Sequence, residues 1–181
     1  MPQYGNFTFE ETGLEGCVVI KPKVFTDARG YFCETFRANL FAEAGLPVFV
    51  QHNQSLSTQG VLRGLHMQKQ YPQGKLVRAM LGSVYDVAVD MRPGSPTYGK
   101  WAGVELSDSN MWSFFVPAGF AHGFLVLSET ALFAYQCTDY YHPDDEAGIR
   151  YDDSAIGVEW PLARVGGQPQ LSDKDAALPY L

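Results

Sequence analysis

Residues 75–91 read KLVRAMLGSVYDVAVDM, two apolar runs broken by Gly82-Ser83. In the second run Tyr85, Val87, Val89 and Met91 recur at every other position, so they share one face of a β-strand. The same texture continues on both sides. VLRGLH (61–66) precedes it; WAGVEL (101–106), WSFFVP (112–117), GFLVL (123–127) and LFAYQCTDYY (132–141) follow, most of them separated by Gly, Pro, Ser or Asn. Close-set short strands with almost no helix between them predict an all-β sandwich or barrel, and a cupin-like jelly roll fits best because its two sheets enclose a cleft. Further upstream, CVVIK (17–21) and YFCETF (31–36) read as strands around the turn Asp27–Gly30, and Val48–Gln51 as a return to strand. Leu40, Phe41 and Ala44 lie at helical spacing, stopped by Gly45-Leu46-Pro47. From about Gly148 the chain is loop-rich, and Ser172–Asp175 opens a second short peripheral helix.

Length and composition suit a single domain over residues 1–181 with its own core. The net charge of −7 comes without a basic run. It argues against nucleic acid or an anionic membrane as partner, so an anionic ligand would need a local basic pocket. Cys17, Cys33 and Cys137 are widely spaced and form no CxxC pair, as expected of reduced thiols in a cytoplasmic protein. No targeting or membrane-spanning run is visible.

The chemistry concentrates in residues 60–75, GVLRGLHMQKQYPQGK. His66 can exchange a proton near neutral pH, while Arg63 and Lys75 can hold an anion or stabilise developing negative charge. Strict alternation would place Arg63 and His66 on opposite faces of a strand. Gly64 is the natural site for a bulge that brings them together. Tyr135, mid-strand, is either core or a proton donor. Ser172 and Asp175 have capping-box spacing, but Asp175 is equally suited to orient a histidine. Pro117-x-Gly119-x-x-His122 resembles half of the metal signature of cupin jelly rolls. The other half needs H-x-H, whereas here His66-Met67-Gln68 stands, so no metal is expected. His52 and His142 read as loop or surface residues.

Taken together, KVFTDARGYFCETF (23–36), VQHNQSLSTQGVLRGLHMQ (50–68), QGKLVRAMLGSVYDVAVDMRPGSPTYGKW (73–101), VPAGFAHGFLVLSE (116–129), YQCTDYYHP (135–143), AIGVEWP (155–161) and LSDKDAALP (171–179) resemble the dTDP-4-dehydrorhamnose 3,5-epimerase family. The resemblance implies a homodimeric jelly roll with N-terminal strands exchanged between subunits, working without metal or cofactor. It implies epimerisation of dTDP-4-dehydro-6-deoxy-D-glucose to dTDP-4-dehydro-β-L-rhamnose; the alternative is a 3- or 5-monoepimerase on a related 4-keto sugar nucleotide. It assigns His66 as base, Asp175 as its partner, Tyr135 as acid and Lys75 to the enolate oxygen. Arg29, Glu34, Gln51, Asn53, Arg63, His122, Glu146 and Lys174 fall at substrate-binding positions, and Phe25 could pack against thymine. Departures from the family pattern are Met67 and Tyr71-Pro72 in a variable loop, and His142 where a small residue is expected after the tyrosine pair.

Overall fold

The computed structural model describes all 181 residues. In chain order the strands are β1 (Gln3–Tyr4), β2 (Phe7–Glu11), β3 (Val18–Pro22), β4 (Val24–Asp27), β5 (Gly30–Cys33), β6 (Gln51–Thr58), β7 (Leu62–Gln68), β8 (Lys75–Leu81), β9 (Ser83–Asp90), β10 (Trp101–Ser107), β11 (Ser113–Val116), β12 (Phe120–Val126), β13 (Thr130–Cys137) and β14 (Glu146–Gly148). Helix α1 (Ala38–Glu43) follows β5, and α2 (Asp173–Ala176) lies near the C-terminus. A seven-stranded sheet, β1-β2-β3-β11-β8-β13-β6, faces a five-stranded sheet, β10-β9-β12-β7-β14. This is the two-sheet jelly roll that the strand pattern predicts. Hairpin β4-β5 stands apart as its own small sheet.

Core packing explains why both faces of several strands are apolar. Between the sheets, Val77, Val84, Ala88, Phe114, Phe124, Val126 and Phe133 form the main core. Helix α1 places Phe41 against Phe7, Phe9, Ile20 and Phe115 on the outside of the seven-stranded sheet. The C-terminal segment covers the outside of the five-stranded sheet, where Ile149 and Ile156 pack on Leu65, Val87, Val89 and Ala121. The alternating apolar face of β9 therefore points outward, under this segment. Its other face, which carries Asp86 and Asp90, is equally buried.

The N-terminal pairing differs from the pattern-based expectation. The turn at Asp27–Gly30 joins β4 to β5, whereas CVVIK contributes to β3, which pairs with β2 and β11. Strand returns only at Gln51, and β6 runs through QHNQSLST, a segment with no apolar alternation. The physical reason is its place at the edge of its sheet, with an inner face that lines a polar cavity instead of core. His52 is exposed, as expected, but sits on this strand and not in a loop.

The site depends most on an irregularity in β7. Its pairing with β12 shifts between His66↔His122 and Arg63↔Phe124, so three residues of β7 span two of β12. Gly64 supplies the extra residue at φ +115°. Leu62 and Leu65 consequently both face the outer apolar clusters, while Arg63 and His66 both face inward. A Cβ on Gly64 would lie 2.6 Å from the Gly123 Cα and from the His122 carbonyl oxygen. Gly64→Ala is therefore expected to cost about 3 kcal/mol, lowering Tm by roughly 6–12 °C. An unchanged melting temperature would show that the bulge tolerates a side chain.

Candidate active site

The bulge directs Arg63 and His66 into a cavity of about 440 Å³ between the sheets. From the five-stranded sheet come Arg63 and His66 on β7, His122 on β12 and Glu146 on β14. From the seven-stranded sheet come Lys75 on β8, Tyr135 on β13, and Gln51 and Asn53 on β6. His122 is the cross-strand neighbour of His66, Lys75 pairs with Cys137, and Asn53 with Tyr135. Phe120, Phe124 and Phe133 supply apolar lining. The stretch from 60 to 75 is thus not one wall. It crosses from one sheet to the other, so Lys75 faces His66 from the side that also carries Tyr135.

His66 Nε2 lies 2.5 Å from Asp175 Oδ1. With the Nε2 proton donated to this carboxylate, Nδ1 keeps the lone pair of a neutral base. Asp175 is also the capping-box partner: the Ser172 hydroxyl donates to Asp175 Oδ2 and accepts from its backbone N–H. One carboxylate therefore makes both contacts, to the histidine and to the helix cap. Burial would raise its pKa, but hydrogen bonds from His66 and Ser172 outweigh this and hold it below the ordinary carboxylate value. Burial raises the Tyr135 phenol above its usual value, which keeps it protonated at neutral pH. Burial also lowers the pKa of the Lys75 ammonium, against the opposing pull of Asp86 and Glu146.

Asp86 is the functional group that sequence reasoning missed. It is fully buried on the inner face of β9, and both carboxylate oxygens accept from His122 Nε2 at 2.9 Å. Burial raises its pKa, opposed by His122 and Lys75. The available signal was an aspartate flanked by valines and alanine within a strand that is apolar on both faces around it.

The remaining expected residues are distributed unevenly. Gln51 donates to Asn53 Oδ1, and Arg63 Nε donates to Ser57 Oγ across the open side of the cavity. Glu146 accepts from the Tyr141 hydroxyl at 2.7 Å and pairs with Lys174, which reaches the site only through that contact. Phe25, Arg29 and Glu34 do not line the cavity of their own chain. Phe25 and Arg29 are exposed on hairpin β4-β5, with Arg29 paired to Asp27, and Glu34 follows the hairpin, paired to Arg37. Their β-ladder ends within the hairpin, so nothing draws them to this pocket. No three His, Cys, Asp or Glu side chains converge in a metal-ligating cluster. Gln68, where an H-x-H pair would have its second histidine, spends its amide on backbone groups.

A base on one sheet facing a phenol and an ammonium on the other can remove a proton from one side of a carbon acid and return one to the opposite side. Known proteins share this architecture. The dTDP-4-dehydrorhamnose 3,5-epimerase family model matches residues 11–181. A dTDP-4-dehydrorhamnose 3,5-epimerase of Methanothermobacter thermautotrophicus is 56% identical over 170 residues, covering 93% of this chain and 91% of that protein. The crystal structure of dTDP-6-deoxy-D-glucose-3,5-epimerase from Legionella pneumophila, in complex with dTDP-4-keto-L-rhamnose, is 50% identical with a TM-score of 0.92, covering 96% of this chain and 92% of that one. A 3'-monoepimerase from Streptomyces bikiniensis, in complex with dTDP-quinovose, is 32% identical with a TM-score of 0.85, covering 93% and 85%.

Replacing Asp86 by Asn removes one of the carboxylates that keep Lys75 charged. The Lys75 pKa should fall further, so in a ¹³Cε NMR titration its signal should move at lower pH than in the wild type. An unchanged titration would remove Asp86 as its counter-charge.

Proposed function

The chain belongs to the dTDP-4-dehydrorhamnose 3,5-epimerase family, and from that premise we propose how its cavity turns dTDP-4-dehydro-6-deoxy-D-glucose into dTDP-4-dehydro-β-L-rhamnose, a step of dTDP-L-rhamnose synthesis. The single observation that carries the mechanism is the placement of His66 and Tyr135 on facing sheets of one cavity.

The C4 ketone acidifies the hydrogens at C3 and C5. Neutral His66, oriented by Asp175, takes one of these protons, and the electron pair moves onto O4 as an enolate. The Lys75 ammonium stabilises that oxygen. Tyr135 then donates its proton to the carbon from the opposite face, which inverts the centre. Exchange with water restores the phenol and the neutral imidazole before the second centre reacts. Arg63 and the buried His122–Asp86 pair hold the substrate, with the guanidinium suited to the diphosphate. Base, acid and cation are all side chains of the protein, so the reaction asks for no metal or cofactor. The same set would serve inversion at one carbon only, the activity named for the 32%-identical 3'-monoepimerase.

The working unit in this reading is a homodimer of jelly rolls in the cytoplasm. Hairpin β4-β5 exposes Val24, Phe25, Tyr31 and Phe32, and the seven-stranded sheet exposes Leu56, Met80 and Leu81. A second copy would cover this apolar surface and bring Phe25, Arg29 and Glu34 to its partner's cavity. All three cysteines are free thiols, in keeping with a reducing compartment. No helix is long and apolar enough to cross a membrane. Light scattering should return twice the chain mass; the mass of one chain would remove the exchanged-strand dimer.

Incubation of the dTDP-4-keto sugar with the protein in D2O, followed by NMR, tests the chemistry. Deuterium should enter at both C3 and C5; entry at one carbon only establishes the monoepimerase. His66→Ala should reduce exchange at both carbons by roughly 10²-fold or more. Tyr135→Phe should lose inversion while proton abstraction continues. Normal exchange in His66→Ala rejects the histidine as base.

A further inference from the structure

The base and the acid belong to different sheets, so their separation depends on whatever holds the two sheets together at that end of the sandwich. Two connections cross there side by side. Residues 69–74 carry the chain from β7 to β8, just after His66 and just before Lys75. Residues 138–145 carry it from β13 to β14, just after Tyr135 and just before Glu146. Pro72 and Gln73 of the first crossing and Tyr141 of the second line the cavity.

The crossings are fastened to each other at several points. The central one is Gln68, a buried glutamine at the end of β7. Its amide donates to the Tyr71 carbonyl oxygen at 2.6 Å and to the Tyr140 carbonyl oxygen at 3.3 Å, and accepts from the His142 N–H at 2.8 Å. One side chain thus grips both crossings, with all three of these hydrogen bonds made to backbone groups. The Asp145 carboxylate accepts from the N–H groups of Gln70 and Tyr71. Gln73 donates to the Asp139 carbonyl oxygen, and Gly74 and Thr138 exchange hydrogen bonds. On the outside, Tyr71 stacks on His142 with ring centroids 4.1 Å apart and planes 20° from parallel.

We propose that Gln68 is a positioning residue for the inversion step: with the Tyr71–His142 stack outside it, it locks the two crossings and so sets the gap between His66 on one sheet and Lys75 and Tyr135 on the other. This rests on the epimerase reading of the cavity. Its signature follows from the chemistry. Proton abstraction and return on the same face need only His66, and give solvent exchange with retention. Inversion also needs Tyr135 at the correct distance. Loosening the lock separates the two rates, whereas a general loss of folded protein lowers them together.

The test measures deuterium entry and inversion side by side for wild type, Gln68→Leu, Tyr71→Ala, His142→Ala and the Tyr71→Ala/His142→Ala double variant, with Tm for each. In Gln68→Leu, exchange should stay within about threefold of wild type while inversion falls roughly tenfold or more, because misplacement by about 1 Å costs up to about a hundredfold. Each rim variant should shift the same ratio by roughly three- to tenfold, the worth of one aromatic contact. The double variant should match the singles, because the stack breaks only once. If Gln68→Leu does not fold, the rim variants decide alone. A ratio equal to that of wild type in the folded variants, or additive effects of the two rim changes, overturns the lock but not the epimerase. A wild type that exchanges no hydrogen overturns both.

Discussion

Two glycines meeting across adjacent strands set the terms for the rest of the site. Gly64 on β7 and Gly123 on β12 come so close that a Cβ on either would strike the other strand's backbone. That approach accommodates the extra residue in β7, and the extra residue breaks the two-residue period of the strand. Arg63 and His66 then share the inner face, while Leu62 and Leu65 bury themselves outside. His66 is left beside His122 and against Asp175, whose carboxylate also accepts a hydrogen bond from the Ser172 hydroxyl. A regular strand would have sent one of these two polar side chains into the apolar layer beneath the C-terminal segment.

The interior charges are organised around that geometry. Asp86 lies on the inner face of β9 among buried valine and alanine, and it is matched by His122 and Lys75. A buried carboxylate without such partners would be strongly unfavourable. The C-terminal segment has a double role. It buries the outer apolar face of the five-stranded sheet, and its last short helix delivers Asp175 to His66. Arg150 and Asp153 tie that segment down through the carbonyl oxygen of Ala176 and the N–H of Leu181. Packing on the outer face and placement of Asp175 against His66 are therefore one structural problem with one solution.

Much of this was legible in the chain. The alternation in SVYDVAVDM and the density of short apolar runs pointed to two packed sheets. Gly64 between Arg63 and His66 pointed to a bulge, which the register shift bears out. Strand β6 was not legible, because a polar edge strand facing a cavity carries no apolar period. Asp86 was overlooked because an isolated acidic residue in a strand ordinarily faces water, and here both faces of the strand are covered. The tight interlock of residues 69–74 with 138–145 was also hidden, since backbone carbonyl and N–H groups carry no residue identity.

By itself the sequence determined the fold class and the family, and it singled out His66, Tyr135, Lys75 and Asp175 as candidates, because each depends on side-chain chemistry and local period. Only the tertiary structure decided which groups share a wall. Lys75 lies near His66 in the chain but stands opposite it, because the segment between them crosses from one sheet to the other. Asp175, 109 residues away in sequence, stands against His66. Phe25, Arg29 and Glu34 lie outside their own chain's cavity, because hairpin β4-β5 pairs only with itself. Sequence neighbours are joined by peptide bonds, whereas neighbours across a cavity are set by which sheet faces bury apolar surface. That choice is made by the whole core and not by any local motif.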